Sequence, residues 1–206
     1  MTTLAERRKE LLDSMMKDAV YEGAVAVLTK YGLQGTTMDR VAAASGMAKG
    51  SLYNCFRSKQ ELLEFVHERV VAPLREAIDE VVDGSLGAAE KLTSITRMWR
   101  EYLVQHQAVF EFLINDQAAK QRLMATEQTA RATGVNQVAR IIRQGIQEGV
   151  FRPVEATAVA EMLINAAIGM VEQEFASGKP RPVDMAVEML MSVFLYGLVV
   201  TERHTP

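Results

Sequence analysis

Apolar residues return at every third or fourth position along most of this chain, and over no appreciable length do they alternate one by one. Leu12, Met16, Val20, Ala24, Val27, Leu28 and Tyr31 form one such series. A spacing of this kind puts its members on one side of an amphipathic helix. Comparable patterns run from Ala88 to His106, Ala108 to Asp116, Gln117 to Glu148, Val154 to Ser177 and Val183 to Arg203. The predicted fold class is therefore all-α, without strands and without an internal repeat. The chain has 206 residues, 49% of them apolar. That is enough for one domain or two small ones, each with a core.

The breaks between these patterns are marked by residues with local reasons to end or start a helix. Gly32 and Gly35 stop the first series. Thr36 and Thr37 are capping residues, and Asp39 stands three residues after Thr36, as in a capping box. A short helix follows from about Met38 to Ser45 and ends at Gly46. Another covers Lys49 to Cys55. Ser58-Lys59-Gln60-Glu61 reads as a second capping box, opening a long helix to about Val82 that contains Pro73. Proline lacks an N–H and crowds the preceding turn, so a kink is expected there. Asp83 to Gly87 is a connection, Gly149 and Pro153 close another helix, and Gly178, Pro180 and Pro182 separate the last two.

Composition excludes several functions. Lys plus Arg number 23 and Asp plus Glu 26, a net charge of −3, which argues against coating a polyanion by bulk charge. The charge is unevenly spread, at +1 over Met1 to Val66 and −4 over the remainder. Arg40 to Gln60 holds Arg40, Lys49, Arg57 and Lys59 and no acid, the local footprint of a face that tolerates nucleic acid. Cys55 is the only cysteine, so no intrachain disulfide forms and a reducing, cytoplasmic setting is expected. The most apolar stretch, Met185 to Val200, includes Glu188 and is too short to span a bilayer. His67, His106 and His204 have no ligand spacing with each other or with Cys55, so no metal site is expected. No GxSxG, HExxH, Walker-type loop or CxxC occurs, so an enzyme is not expected, and neither is a cofactor.

The segment from Thr36 to Leu63 is the most informative. Two short helices meet at Gly46, with Val41 and Met47 facing Leu52 and Cys55 and with the small Ala42 at the crossing. That is the spacing of a helix-turn-helix. The wider string is Gly32-Leu33-Gln34-Gly35-Thr36-Thr37-Met38, Val41-Ala42, Ser45-Gly46-Met47-Ala48-Lys49-Gly50-Ser51-Leu52-Tyr53 and Phe56-Arg57-Ser58-Lys59-Gln60-Glu61-Leu62-Leu63. It resembles the N-terminal domain of the tetracycline-repressor-like (TetR) family of bacterial transcriptional regulators, over about Val20 to Leu63.

The resemblance implies a three-helix DNA-binding domain over residues 1–63, of which 1–16 is a basic extension, and a helical effector-binding and dimerisation domain over 64–206. It implies DNA contacts for Thr36, Thr37, Ala48, Lys49, Gly50, Ser51, Tyr53, Asn54 and Lys59. Chemistry agrees: hydroxyls and helix N-terminal N–H groups suit phosphate, Lys49 suits a guanine edge or phosphate, and Asn54 suits adenine. Three residues depart from the family pattern. Ala48 removes a capping hydroxyl, Ser45 replaces a usual alanine, and Cys55 stands where His or an aromatic is common. Cys55 reads as a small packed residue or as a thiol switch. Arg7, Arg8 and Lys9 read as a DNA-following arm or as a solvated tail.

In the remainder, the helices near 154–177 and 183–203 are apolar on more than one face, which calls for burial on two sides, core and partner. The implied partner is a second copy, and a homodimer would read a palindromic operator. Met98, Trp99, Tyr102, Phe110, Phe112, Leu113, Met162 and Asn165 suit a small hydrophobic or aromatic effector. Of these, Trp99, Tyr102, Phe110, Met162 and Asn165 are the candidate ligand-binding residues. The expected function is a ligand-responsive repressor released from DNA by its effector. The alternative is an all-helical protein–protein adaptor without DNA binding.

Overall fold

The computed structural model describes residues 3–107, 109–110 and 117–198, with side chains omitted over 117–127. Among them, every regular element is a helix apart from one isolated bridge residue at Phe151. The helices are α1 (Leu4–Gly35), α2 (Met38–Ala44), α3 (Lys49–Cys55), α4 (Lys59–Asp83), α5 (Ala88–Gln105), α6 (Gln117–Gln147), α7 (Ala156–Ser177) and α8 (Val183–Leu198). The helix expected over 108–116 lies outside the described residues except for Val109 and Phe110, and the last expected helix is described only to Leu198.

The chain divides into two compact units. One comprises Met1–Val70 with Gln107–Met124, and the other Val71–His106 with Ala125–Pro206. The division departs from a single boundary at residue 63, because α4 continues through Pro73 and supplies residues to both.

In the first unit, α1 opens on Thr3, whose hydroxyl accepts from the Glu6 N–H at 3.3 Å while the Glu6 carboxylate accepts from the Thr3 N–H at 2.7 Å. The apolar stripe is buried from Val20 onward, with Ala24, Val27 and Leu28, but Leu12 and Tyr31 at its ends are exposed. Sequence periodicity marks a face without saying whether anything lies against it. Gly32 turns out of the helix with φ of 62°. Val41, Ala42 and Leu52 are buried between α2 and α3, and Gly46 takes the left-handed φ of 65° that the sharp turn needs. Gly23 lets α1 and α2 approach closely, since a Cβ there would lie 2.3 Å from the Ser45 hydroxyl and 2.8 Å from its backbone nitrogen. Ser45 in turn donates to the Val41 carbonyl at 2.7 Å. Phe56 closes the corner against Phe65, with ring centres 5.0 Å apart.

The second unit has its own core, built from Val82, Leu92, Ile95, Val138, Ile141, Ile142, Phe151, Leu163, Val187 and Leu190. Gly145 admits the Phe151 ring so closely that a Cβ would sit 2.1 Å from it. Lys91 is buried, its ammonium donating to the Val82 carbonyl at 2.7 Å and to Gln144 at 2.8 Å. α7 starts on Glu155, whose carboxylate accepts from the Thr157 and Ala158 N–H groups. Those bonds hold its pKa below the usual carboxylate value.

Candidate nucleic-acid interface

The turn at Gly46 fixes which residues of α3 face outward. Leu52 is fully buried and anchors the helix. Ala48, Lys49, Gly50, Ser51, Tyr53 and Asn54 are all exposed, and Thr37 at the head of α2 is exposed as well. Ala48 begins α3 without a side-chain cap, as its missing hydroxyl dictates. The N–H groups of that first turn therefore have no side-chain acceptor of their own residue, which leaves room for a phosphate oxygen. Gly50 has nothing within 4 Å of where a Cβ would project, so the backbone there can approach a duplex directly.

Lys49 is held in place. Its ammonium lies 2.7 and 3.0 Å from the two carboxylate oxygens of Asp39, and 5.9 Å from the centre of the Tyr53 ring. The bond that Lys49 donates to Asp39, with the charge of that carboxylate, raises the pKa of Lys49 above the ordinary lysine value. Asp39 thus ties α2 to α3, a role distinct from the capping one expected for it. Thr37, not Thr36, caps α2, its hydroxyl accepting from the Arg40 N–H at 3.2 Å.

Thr36, expected among the DNA contacts, is buried. It is 1% exposed and donates its hydroxyl to the Gly32 carbonyl at 2.7 Å. The bend at Gly32 frees that carbonyl from its helix and turns Thr36 inward, so its side chain is committed to the fold. Lys59 is half-buried and donates to the Leu33 carbonyl at 2.5 Å, which fastens the start of α4 to the end of α1. The second capping box is shifted: Ser58 accepts from the Glu61 N–H at 3.1 Å, but the Glu61 carboxylate accepts from the Arg57 N–H at 2.7 Å.

Two residues beside the recognition run were not singled out for the site. Arg40 is exposed, donates to the Gly35 carbonyl at 2.5 Å and stacks its guanidinium 4.5 Å over the Tyr31 ring. Arg57 is exposed next to it in chemistry if not in sequence. The acid-free window from Arg40 to Gln60 contains both.

The expected ligand residues differ in exposure and in surroundings. Trp99 is half-buried against the second unit's core. Tyr102 lies against His106 with ring centres 4.2 Å apart, and burial holds the His106 imidazole below its usual pKa. Asn165 is exposed and accepts a hydrogen bond from Arg131, while Met162 is 61% exposed on the outer face of α7. Phe110 is half-buried and falls in the first unit, and Phe112 and Leu113 lie outside the described residues. Cys55 is half-buried. Among the described residues, no cluster of His, Cys, Asp and Glu is arranged to hold a metal, and no helix is long and apolar enough to cross a membrane.

A short helix locked by a glycine turn onto a second, with its polar face outward, is the reading head of a helix-turn-helix transcriptional regulator. Residues 20–66 match the family described as bacterial regulatory proteins, tetR family. Residues 20–66 thus form a domain of that TetR family. It is 25% identical over 197 residues to the HTH-type transcriptional repressor KstR2 of Mycobacterium tuberculosis, covering 93% of this chain and 92% of that one. It is 23% identical over 156 residues to the HTH-type transcriptional regulator YhgD of Bacillus subtilis, covering 75% and 82%. Among solved structures, SmeT, the repressor of the Stenotrophomonas maltophilia multidrug efflux pump SmeDEF, superposes with a TM-score of 0.77 at 16% identity, covering 92% and 93%. A complex of SmeT with triclosan superposes equally well, with a TM-score of 0.77.

Proposed function

We propose that this protein is a ligand-responsive transcriptional repressor that binds a palindromic operator as a homodimer in the cytoplasm, and that it is not an enzyme. The observation that carries this is the exposed run Ala48, Lys49, Gly50, Ser51, Tyr53 and Asn54 on a helix anchored by the buried Leu52, within the stretch matched by the family. Thr37 and the ammonium of Lys59 add backbone contacts at the edges of that face. Arg7, Arg8 and Lys9 project from the exposed first turns of α1 and follow the flanking duplex. The protein–protein adaptor reading leaves this outward polar face without a purpose.

One such head contacts too little DNA for an affinity of regulatory use, and two-fold pairing doubles the contacts at half-sites about 34–36 Å apart. The pairing surface is the outer side of α7 and α8, where Met162, Met185, Met189, Val193 and Tyr196 are exposed. Apolar groups of this size on adjoining helices favour a dry contact with a second copy. A small hydrophobic or aromatic effector, bound in the second unit, displaces α4 and moves the two heads out of register. The relative SmeT has been seen with such a molecule, triclosan. The effector must prefer the released arrangement, since equal affinity for both would shift nothing.

The test is duplex binding by the full chain, using fragments selected from the source genome, as a function of salt. The expected outcome is salt-dependent binding that the variant Lys49→Ala/Tyr53→Ala loses while remaining folded and dimeric. Equal binding by variant and parent, or no bound fragment at low ionic strength, overturns the proposal.

A further inference from the structure

The second unit contains a buried charged cluster that DNA reading and dimerisation do not use. Arg100 of α5 and Glu174 of α7 are each 2% exposed. The Nη2 of Arg100 donates to the Glu174 carboxylate and to the Arg181 carbonyl, the latter at 3.0 Å. Arg181, in the connection between α7 and α8, donates to the other Glu174 oxygen at 3.1 Å. Two guanidinium groups thus share one carboxylate, and the cluster carries a net charge of +1.

The bonding of Arg100 is lopsided. Both contacts fall on Nη2, while Nε and Nη1 are buried and have no hydrogen-bond partner. A guanidinium offers five N–H donors, and buried donors are almost always satisfied. The extra cation is the partly exposed Arg181, the empty donors belong to the buried Arg100, and the two share one carboxylate; together they favour an anionic acceptor. The charge sets its valence: a singly charged group balances the cluster, whereas a doubly charged one overshoots it. The same helix α5 carries Leu92, Ile95 and Trp99 into the apolar core, where a hydrocarbon portion would have to lodge.

We infer that this cluster receives the carboxylate of a small apolar acid, and that the effector of the repressor proposed above carries that group; the inference rests on that reading for its consequence at DNA but not for the binding itself. The empty donors are sealed from solvent, so an oxygen reaches them only as the packing around α5 and α7 rearranges. Such a ligand prefers an arrangement other than the one seen here, and differential affinity of this sort is what moves a two-state protein.

The experiment uses the full chain with sodium octanoate and, as the uncharged control, 1-octanol. Thermal shift and calorimetry read binding, and anisotropy of a labelled duplex reads release. Octanoate is expected to bind about tenfold or more tightly than octanol. The variant Arg100→Met/Glu174→Met removes both fully buried charges together and leaves only the partly exposed Arg181 without its carboxylate. It is expected to lose the preference. Glu174→Gln, which raises the net charge, is expected to bind octanoate more tightly than the parent. Equal binding of octanoate and octanol by the parent, or a preference retained in the double variant, overturns the inference. If octanoate binds as expected but no duplex is bound, the site stands and the repressor reading falls. If duplex is bound and octanoate has no advantage over octanol, the repressor reading stands and the site falls.

Discussion

The two units differ in the charged groups they bury, although both leave some large apolar side chains exposed. The first keeps a small apolar interior of Val20, Ala24, Val41, Leu52 and Phe56 and sets its cations outside, where Lys49 is more than half exposed and braced by an equally exposed Asp39. The second buries Lys91, Arg100 and Glu174 and turns large apolar groups outward, with Val193 at 69% and Tyr196 at 80% exposure. A surface that shows cations suits a polyanion that arrives with its own counter-charge. A surface that shows methionine, valine and tyrosine suits a copy of itself. The interior follows the same logic in reverse, since buried charge is tolerated only where partners are fixed in place.

The strongest way to break this contrast is to remove a buried partner. Glu174→Ala strands Arg100 without its counter-ion and should lower stability by about 3–5 kcal/mol. Asp39→Ala, which removes the exposed partner of Lys49, should change it by no more than about 1 kcal/mol. Chemical denaturation of the two variants measures the difference, and comparable losses would dissolve the distinction between the units.

Packing offers a second comparison, because both units contain a glycine at a close approach. Gly145→Ala forces the new methyl against the Phe151 ring, and Gly23→Ala forces it against Ser45, including its backbone nitrogen. Each should cost about 1–3 kcal/mol, read as a lowered denaturation midpoint. A change in Gly145 that is neutral would mean that the Phe151 ring moves aside readily.

The outward apolar face predicts association. Val193→Asp places a carboxylate in the proposed contact between copies and should weaken dimerisation by about tenfold or more, at least about 1.4 kcal/mol, in sedimentation equilibrium. An unchanged dissociation constant would move the interface elsewhere. One expected effect is a gain. Ala48→Ser restores a capping hydroxyl to α3 and should raise stability by about 0.5–2 kcal/mol, seen as a higher melting temperature.

Much of the fold and of the reading head was legible in the residues themselves. Helix period, the turn at Gly46 and the uncapped Ala48 are local properties, and so α2, α3 and the exposed run of α3 fall where the spacing puts them. The misread positions have a common cause. Thr36 and Thr37 are chemically alike, and only the bend at Gly32 decides that the first faces inward and the second caps α2. Asp39 looks like a capping acid until α3 folds back and brings Lys49 within reach. Glu174 is buried, although an acid on a helix is ordinarily solvated, because Arg100 and Arg181 converge on it from elsewhere in the chain.

The order of residues by itself determined an all-helical protein with a helix-turn-helix near its start, since helix period, glycine turns and capping chemistry act over a few positions. Tertiary structure alone decided which threonine is buried, what Lys59 holds, and that Arg100 and Glu174, 74 residues apart, meet away from water. Those outcomes depend on distant segments arriving at the same place, and burial then sets the strength of every charge that they carry.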